Sequence, residues 1–273
     1  LLMNYCSYFL SAALIGSWKL RGKSFDVVFV FGPSPVTVCL PAILLKKIKK
    51  VPVVFWVLDL WPETLEAISV VKSKAILALV GRLVAFIYNR CDLVLGQSKA
   101  FYDGIACYCT DKTKIKYFPS WSETVFVDAV TFPVREIEKH HDVFKILFAG
   151  NIGEAQDFPA ILNTAIILKT KQINAKFFIV GDGRAFEWVK SEVIKKDLQD
   201  YVYLLGRHPL ETMLSFYASV DSLLVTLQES PVFAMTIPGK VQSYMAAGKP
   251  ILTMLSGEGS RIIEEAECGY TAK

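Results

Sequence analysis

Short apolar runs alternate with amphipathic stretches along most of this chain, and this alternation constrains the fold more than any other feature. Runs such as Val53–Val57 carry no charged side chain, as expected of parallel strands that are buried on both faces. Stretches such as Lys74–Asn89 carry apolar residues at helical spacing. The repeated strand–helix order predicts parallel sheets covered by helices, which is an α/β fold.

The predicted elements fall into two groups, one in each half of the chain. Strands are predicted at Asp26–Phe31, Val51–Val57, Asp92–Gly96, Ile115–Phe118, Lys145–Ala149, Lys176–Val180, Tyr201–Leu205, Asp221–Thr226 and Pro250–Met254. Helices are predicted at Val36–Lys50, Lys74–Asn89, Lys99–Cys107, Asp157–Lys171, Ala185–Lys196, Leu210–Ala218, Pro238–Ala247 and Ser260–Glu267. A charged segment within Trp121–Asp142 interrupts this order, so we predict two α/β domains, residues 1–135 and 136–273.

Composition excludes several classes of protein. With 53% hydrophobic and 21% charged residues, the chain is globular rather than disordered. A net charge of +4, from 30 basic and 26 acidic residues, is too small to indicate a nucleic-acid partner. The 6 cysteines form no CxxC pair, which favours reduced thiols over disulfides and predicts no metal site.

The first twenty residues permit two interpretations. Leu1–Leu20 is almost uncharged and long enough to span a bilayer, yet it contains Asn4 and several serines. A helix packed on a sheet, with one face against a membrane, is favoured over a transmembrane span. Because the chain opens within this segment and stops just after the strand-like Cys268–Thr271, we expect an internal fragment, truncated at both ends.

Glycine-containing turns follow the predicted strands of the second half, where open parallel sheets bind their ligands. These turns begin at Gly150, Gly181, Gly206 and Ser256. The segment Thr236–Leu252 adds a helix start at Pro238-Gly239-Lys240 and a stop at Gly248-Lys249-Pro250. Lys240 is therefore expected beside unpaired backbone N–H groups, where a phosphate or diphosphate binds.

Taken together, these motifs resemble family 4 glycosyltransferases. The motifs that carry the resemblance are Phe148-Ala149-Gly150-Asn151-Ile152-Gly153, Ile179-Val180-Gly181-Asp182-Gly183, Leu204-Leu205-Gly206-Arg207, Ile237-Pro238-Gly239-Lys240 and Pro250-Ile251-Leu252. In the first half, Asp59-Leu60-Trp61-Pro62-Glu63 resembles the signature of bacterial N-acetyl-L-fucosaminyltransferases of O-antigen and capsule assembly.

The resemblance implies a GT-B fold, with two Rossmann-like domains facing a cleft. The first domain would bind the acceptor and the second a nucleotide-sugar. It further implies a retaining mechanism without metal or other cofactor, with a UDP-sugar as the donor substrate. The implied catalytic residues are Asp59, Lys240 and Glu258. The implied donor-binding residues are Gly150, Asn151, Gly153, Gly181, Arg207, Lys240 and Ser243.

The chain also departs from the family's pattern. Met235 and Ser243 stand where many relatives carry a pair of glutamates, so neither can act as a carboxylate, although Ser243 can hydrogen-bond a ribose. Asn151 and Gln156 align with an Arg and a Lys of relatives, which leaves Lys240 as the main cation. Leu58 replaces a frequent histidine, leaving Asp59 as the polar candidate there.

Each candidate has a structural alternative. Asp59 also suits a helix cap for the turn at Pro62, and Glu258 suits the first turn of a helix. Asn151 also suits a left-handed turn, and Arg207 a surface salt bridge. Lys240 is the best supported, because an ordinary surface lysine would not require the Pro-Gly helix start around it.

The functional hypothesis is transfer of a 6-deoxyhexosamine or related hexosamine from a UDP-sugar to a saccharide on undecaprenyl diphosphate. The enzyme would be cytoplasmic, in peripheral contact with the inner face of the bacterial plasma membrane through Leu1–Leu20 and the Lys46–Lys50 cluster. A solvated helix end explains that cluster equally. Two other functions remain open, a GT-B UDP-N-acetylhexosamine epimerase and a non-catalytic nucleotide-binding assembly protein.

Overall fold

The computed structural model describes the backbone of residues 2–122 and 131–272, and side chains from residue 7 onward within those ranges. The chain divides into two compact units, residues 1–119 (unit 1) and 120–273 (unit 2). The sequence placed the domain boundary later, between residues 135 and 136, and residues 123–130 of that stretch lie outside the described residues. Each unit contains one parallel sheet among its described residues.

In unit 1 the strands pair in parallel in the order β1-β2-β3-β4. They are Val28–Gly32 (β1), Val53–Val57 (β2), Leu93–Gly96 (β3) and Ile115–Tyr117 (β4). The helices are Leu2–Ser11 (α1), Ser17–Lys19 (α2), Leu40–Lys49 (α3), Glu63–Ala67 (α4), Lys74–Arg90 (α5) and Phe101–Ala106 (α6). The helix predicted at Val36–Lys50 starts as a 3-10 turn, Val36–Cys39, because Pro41 suits only the first turn of an α-helix.

The N-terminal helices lie beside the edge strand of unit 1. A π-helical turn, Ala12–Gly16, joins α1 to α2 and packs against α3. The side chains of Leu14 and Trp18 remain 69% and 60% exposed. Among the described residues, no helix has both the length and the hydropathy needed to cross a bilayer.

In unit 2 the strands are also parallel, in the order β10-β9-β8-β5-β6-β7. They are Phe144–Ala149 (β5), Ala175–Val180 (β6), Val202–Gly206 (β7), Ser222–Thr226 (β8), Ile251–Met254 (β9) and Gly269–Ala272 (β10). The helices are Arg135–Glu138 (α7), Phe158–Thr170 (α8), Phe186–Lys195 (α9), Met213–Ala218 (α10), Pro231–Met235 (α11), Lys240–Ala246 (α12) and Glu258–Glu265 (α13).

The apolar core of unit 2 lies on both faces of its sheet. Along β5, Leu147 and Ala149 contact one cluster of buried residues, whereas Ile146 and Phe148 contact another. Successive side chains of a strand point to opposite faces, so a continuous apolar run is what this sandwich of helices requires. The prediction of buried parallel strands is confirmed.

Three helices of unit 2 begin two or three residues away from their predicted first residue. The helix predicted at Pro238–Ala247 begins at Lys240, so Pro238 and Gly239 precede it. The helix predicted at Ser260–Glu267 begins at Glu258. The helix predicted at Leu210–Ala218 opens with a 3-10 turn, Leu210–Thr212, before α10 begins at Met213. The short helix α11, which begins at Pro231, was not predicted.

The strand order of unit 2 locates its ligand crevice. The chain runs outward from β5 through β6 to β7, then returns to place β8 on the other side of β5. In open parallel sheets, ligands bind beyond the carboxyl ends of the strands at the point where the strand order reverses. That point lies between β5 and β8, directly beside the glycine turn at Gly150.

Candidate functional site

The strands β5 and β8 separate at the carboxyl edge of the sheet. They pair only at Ile146 and Leu147, so the N–H of Ala149 has no partner on β8. The hydroxyl of Tyr244 on α12 takes that place: it accepts from the Ala149 N–H at 2.8 Å and donates to the Ala149 carbonyl at 3.2 Å. This fully buried tyrosine, which the sequence analysis did not single out, thereby fixes α12 against the end of β5.

The glycines that follow β5 and β6 allow two loops to approach closely. Gly150 and Gly181 have φ values of +142° and +144°, a conformation that favours glycine. A Cβ on Gly181 would lie 1.8 Å from the Gly150 carbonyl oxygen. The Gly181 N–H in turn donates to the Gly206 carbonyl at 2.8 Å, which ties the loop after β6 to the end of β7.

We expect Gly181→Ala to destabilise unit 2 by about 3 kcal/mol or more, because backbone strain and a backbone clash act together. Gly206→Ala is the matched control: its φ is +76°, yet nothing lies within 4 Å of an added Cβ. Gly206→Ala should lower the free energy of unfolding by only about 1–2 kcal/mol, from backbone strain alone. Urea unfolding of the two variants measures the difference, and equal losses would contradict the clash.

A cavity of about 500 Å³ opens at the carboxyl ends of β5, β6 and β7. It brings together four of the predicted donor-binding residues, Gly150, Asn151, Gly181 and Arg207. Other lining residues are Ala149, Val180, Asp182, His208, Leu210, Met213 and Tyr217. This mixture of apolar surface and a few polar groups is typical of small-molecule sites.

The loop after β5 has fewer free backbone donors than the sequence suggested. The N–H of Gly150 donates to Val180 at 2.9 Å, and that of Ile152 to Asp182 at 2.8 Å. The N–H groups of Asn151 and Gly153 have no acceptor among the described residues. The expectation that the whole Gly150–Gly153 loop offers donors is therefore wrong for Gly150 and Ile152. Asn151 and Gly153 can still donate to an anion.

The amine of Lys240 lies at the point where β5 and β8 separate. It donates to Oε1 of Gln156 at 2.8 Å and stands 3.7 Å from the centre of the Phe148 ring. A Cβ on Gly150 would come within 3.2 Å of the same nitrogen, so glycine leaves it room. Burial lowers the pKa of Lys240 to about 7. No carboxylate pairs with this amine in the described part of the chain.

The remaining predicted residues of unit 2 do not line the cavity. Ser243 is 7% exposed within α12. Both oxygens of Glu258 receive hydrogen bonds from Arg261, at 3.0 and 2.9 Å. Glu258 is also the first residue of α13, so the structure gives it the helix-end environment that was its alternative. Gly153 contacts the side chain of Asn151 instead: an added Cβ would lie 2.5 Å from its amide nitrogen.

Asp59 lies in unit 1, after β2. Burial raises its pKa to about 6, and a hydrogen bond with the Ser34 side chain partly opposes that shift. The alternative of a helix cap is wrong, because Pro62 is the N-cap of α4 and no side chain caps that helix. A carboxyl group with a pKa near 6 is suited to proton transfer at neutral pH.

The raised pKa predicts a pH-dependent stability. The folded chain holds a proton on Asp59 between about pH 4 and 6 that the unfolded chain has released, so this group's stabilising contribution is lost as the pH rises through 6. The free energy of unfolding of Asp59→Asn, relative to that of the parent protein, should therefore increase by up to about 3 kcal/mol from pH 4 to pH 7. Urea unfolding measures it, with the exposed Asp103→Asn as control. Parallel pH profiles of parent and Asp59→Asn would contradict the shift.

The described residues contain no group of three or more His, Cys, Asp and Glu side chains that could hold a metal ion. His208 lines the cavity, where its Nε2 lies 3.1 Å from the Leu205 carbonyl and its ring packs on Phe216.

Known proteins with a similar sequence are glycosyltransferases. Residues 143–273 match the family described as "Glycosyl transferases group 1". Over 266 residues the chain is 29% identical to the probable glycosyltransferase WbjE of Pseudomonas aeruginosa. The alignment covers 94% of this chain and 65% of WbjE. The chain thus spans slightly less than two thirds of that relative.

Solved structures share this fold. HepE of Anabaena, in complex with UDP and glucose, superposes with a TM-score of 0.69 at 15% identity, over 91% of this chain and 64% of that one. An E. coli structure described as trehalose-6-phosphate bound with UDP-2-fluoro glucose gives 0.69 at 11% identity, over 97% and 66%. The predicted fold is confirmed: the two parallel α/β sheets match GT-B glycosyltransferases.

Proposed function

We propose that the protein is a retaining, metal-independent glycosyltransferase that uses a UDP-sugar donor. The observation that carries the proposal is the Lys240 amine, which lies beside Gly150 where the strand order of unit 2 reverses. Residues 143–273 of this unit match the group 1 glycosyltransferase family, which supports the proposal. An amine there can meet the charge that develops on a departing diphosphate. HepE, a protein of the same fold, was solved with UDP-glucose, which supports a nucleotide-sugar ligand.

The cavity at the ends of β5, β6 and β7 is the proposed nucleotide pocket. Arg207 lies at its exposed rim and Tyr217 and Met213 supply apolar surface, an environment that suits a planar base. Asn151 and Gly153 would add backbone donors to the phosphates. Ser243 and Glu258 remain predictions with weaker support, since one is buried in α12 and the other pairs with Arg261.

The proposed acceptor is a saccharide linked to undecaprenyl diphosphate, and the proposed sugar is a 6-deoxyhexosamine or a related hexosamine. Both follow from the Asp59–Glu63 signature in cell-surface polysaccharide enzymes. Asp59 is the proposed catalytic or acceptor-orienting carboxyl group. Its pKa of about 6 supports that role, because the group can both hold and release a proton near neutral pH.

Peripheral contact with the inner face of the plasma membrane is also part of the proposal. Leu14, Ile15 and Trp18 are more than half exposed, and Arg21 stands 5.0 Å from the Trp18 ring. Exposed apolar and aromatic side chains beside cations suit an anionic lipid surface. The Lys46–Lys50 cluster contributes less than expected, because Lys46 pairs with Asp92 and Lys49 donates to backbone carbonyls.

The direct test incubates the full-length protein with UDP-hexosamines and undecaprenyl-diphosphate-linked saccharide in vesicles, and follows the release of UDP. We expect release only when donor and acceptor are both present, and a product that keeps the donor's anomeric configuration by NMR. Conversion of the donor sugar without acceptor would instead establish the epimerase. Binding of UDP without turnover of any hexosamine donor would refute the assignment of a hexosamine as the transferred sugar.

A further inference from the structure

Gln156 is the one hydrogen-bond partner of the Lys240 amine among the described side chains, and it carries no charge. We propose that Gln156 is a positioning residue: its neutral amide oxygen holds Lys240 over Gly150 and leaves the amine's charge to be matched by the phosphates of the donor. This inference rests on the proposed nucleotide-donor function and deepens it. From the sequence alone, Gln156 was noted only because it stands where many relatives carry a cationic residue.

Hydrogen bonds to β8 and to the segment after it hold the loop that carries Gln156 in place. The backbone carbonyl of Gln156 accepts from the hydroxyl of Thr226, a fully buried residue of β8. Its N–H donates to Gly153 at 3.1 Å, and the N–H of Gln228 donates to Ala155 at 2.9 Å. The loop after β5 is thus attached to the end of β8, so the amide oxygen reaches Lys240 from a fixed backbone.

The surroundings of the amine favour an uncharged partner. The Phe148 ring covers one side of the nitrogen and Gly150 adds no side chain on another. Charged or titratable side chains on the loops after β5, β6, β7 and β8 and at the start of α13 are Glu154, Asp157, Asp182, Arg184, Arg207, His208, Glu229 and Glu258. Burial is the cause of the lowered pKa of Lys240, and none of these charges contributes to it.

The arrangement around Lys240 predicts that ligand binding changes the protonation of its amine. With a pKa of about 7, much of the Lys240 population is uncharged just above neutral pH while the site is empty. An anion that hydrogen-bonds to the amine favours its charged form, so the pKa rises when phosphates bind. UDP binding should therefore take up protons from the buffer. A carboxylate at position 156 would hold the amine charged beforehand and remove that uptake.

The experiment is calorimetry of UDP binding to the full-length protein at pH 7.5, in two buffers that differ in ionisation enthalpy. The parent protein should bind UDP with proton uptake. Gln156→Glu should bind UDP more than about tenfold less tightly, since a like charge faces the phosphates, and with no uptake. Gln156→Met, which keeps the size but loses the acceptor, should weaken binding while uptake persists. Gln199→Glu, an exposed residue of the same unit, should match the parent.

The outcomes separate the two proposals. If Gln156→Glu and Gln156→Met bind UDP with parental affinity and parental uptake, Gln156 does not position Lys240, although the nucleotide function stands. If the parent binds UDP without uptake, the neutral-partner arrangement is refuted. If the parent does not bind UDP, the proposed function fails together with the inference. Circular dichroism of each variant confirms that losses do not reflect unfolding.

Discussion

Lys240→Met should weaken UDP binding by about 10- to 100-fold, the equivalent of one charge-assisted hydrogen bond to phosphate. Methionine keeps most of the apolar stem against Phe148, so the change is confined to the amine. Titration calorimetry with UDP measures the loss. Lys190→Met is the matched control, because Lys190 is exposed on α9 and makes no hydrogen bond or ion pair among the described residues.

The same variant should be more stable than the parent protein. Since the pKa of Lys240 is lowered from 10.5 to about 7, the unfolded chain holds a proton between those values that the folded chain has released. Stability from this group therefore increases as the pH rises across that window. Lys240→Met should gain more stability at pH 6 than at pH 9. Unchanged UDP affinity, or a variant less stable than the parent at pH 6, would contradict a buried, functional amine.

The opposite signs of the two effects are informative. A residue kept for packing loses stability when it is replaced, whereas a buried amine kept for a ligand lowers stability in the empty protein. The sequence predicted the position of Lys240 from its helix start. It could not predict the low pKa, which comes from burial in the folded chain, or the hydrogen bond to Gln156, which lies 84 residues away in the chain.

The fold was predictable because its signals are local. Apolar runs mark the strands and glycine turns follow several of them, and the observed strands differ from the predicted ones by at most two residues at either end. Short helices were harder: α4, α7 and α11 are each one turn or slightly more, too short to display helical periodicity. Their positions depend on packing rather than on pattern.

The candidate site was only partly predictable, because only some of its residues are marked by a local sequence pattern. Gly150, Asn151, Gly181 and Arg207 follow strands, and parallel strands bring such residues to one edge. Ser243 and Glu258 were inferred from motif position alone, and the structure buries Ser243 in α12 and pairs Glu258 with Arg261. No local pattern distinguishes a tyrosine that bonds to a strand from an ordinary core tyrosine, so Tyr244 was missed.

Tyr244→Phe should destabilise unit 2 by about 1–3 kcal/mol, although the ring and its contact with Tyr217 remain. The change leaves the N–H of Ala149 without an acceptor inside the protein, because β8 has already separated from β5 at that residue. Burial raises the pKa of Tyr244, which keeps its hydroxyl protonated and able both to accept from and to donate to Ala149. Urea unfolding measures the loss.

Amide hydrogen exchange tests the location of the effect. The Ala149 amide should exchange faster in Tyr244→Phe than in the parent protein, and UDP should bind less tightly, because α12 carries Lys240 and is attached to β5 through this hydroxyl. Tyr201→Phe removes a hydroxyl that has no partner among the described residues, and both quantities should stay at parental values. Slow exchange at Ala149 together with parental stability in Tyr244→Phe would show that the hydroxyl does not hold α12 at the crevice.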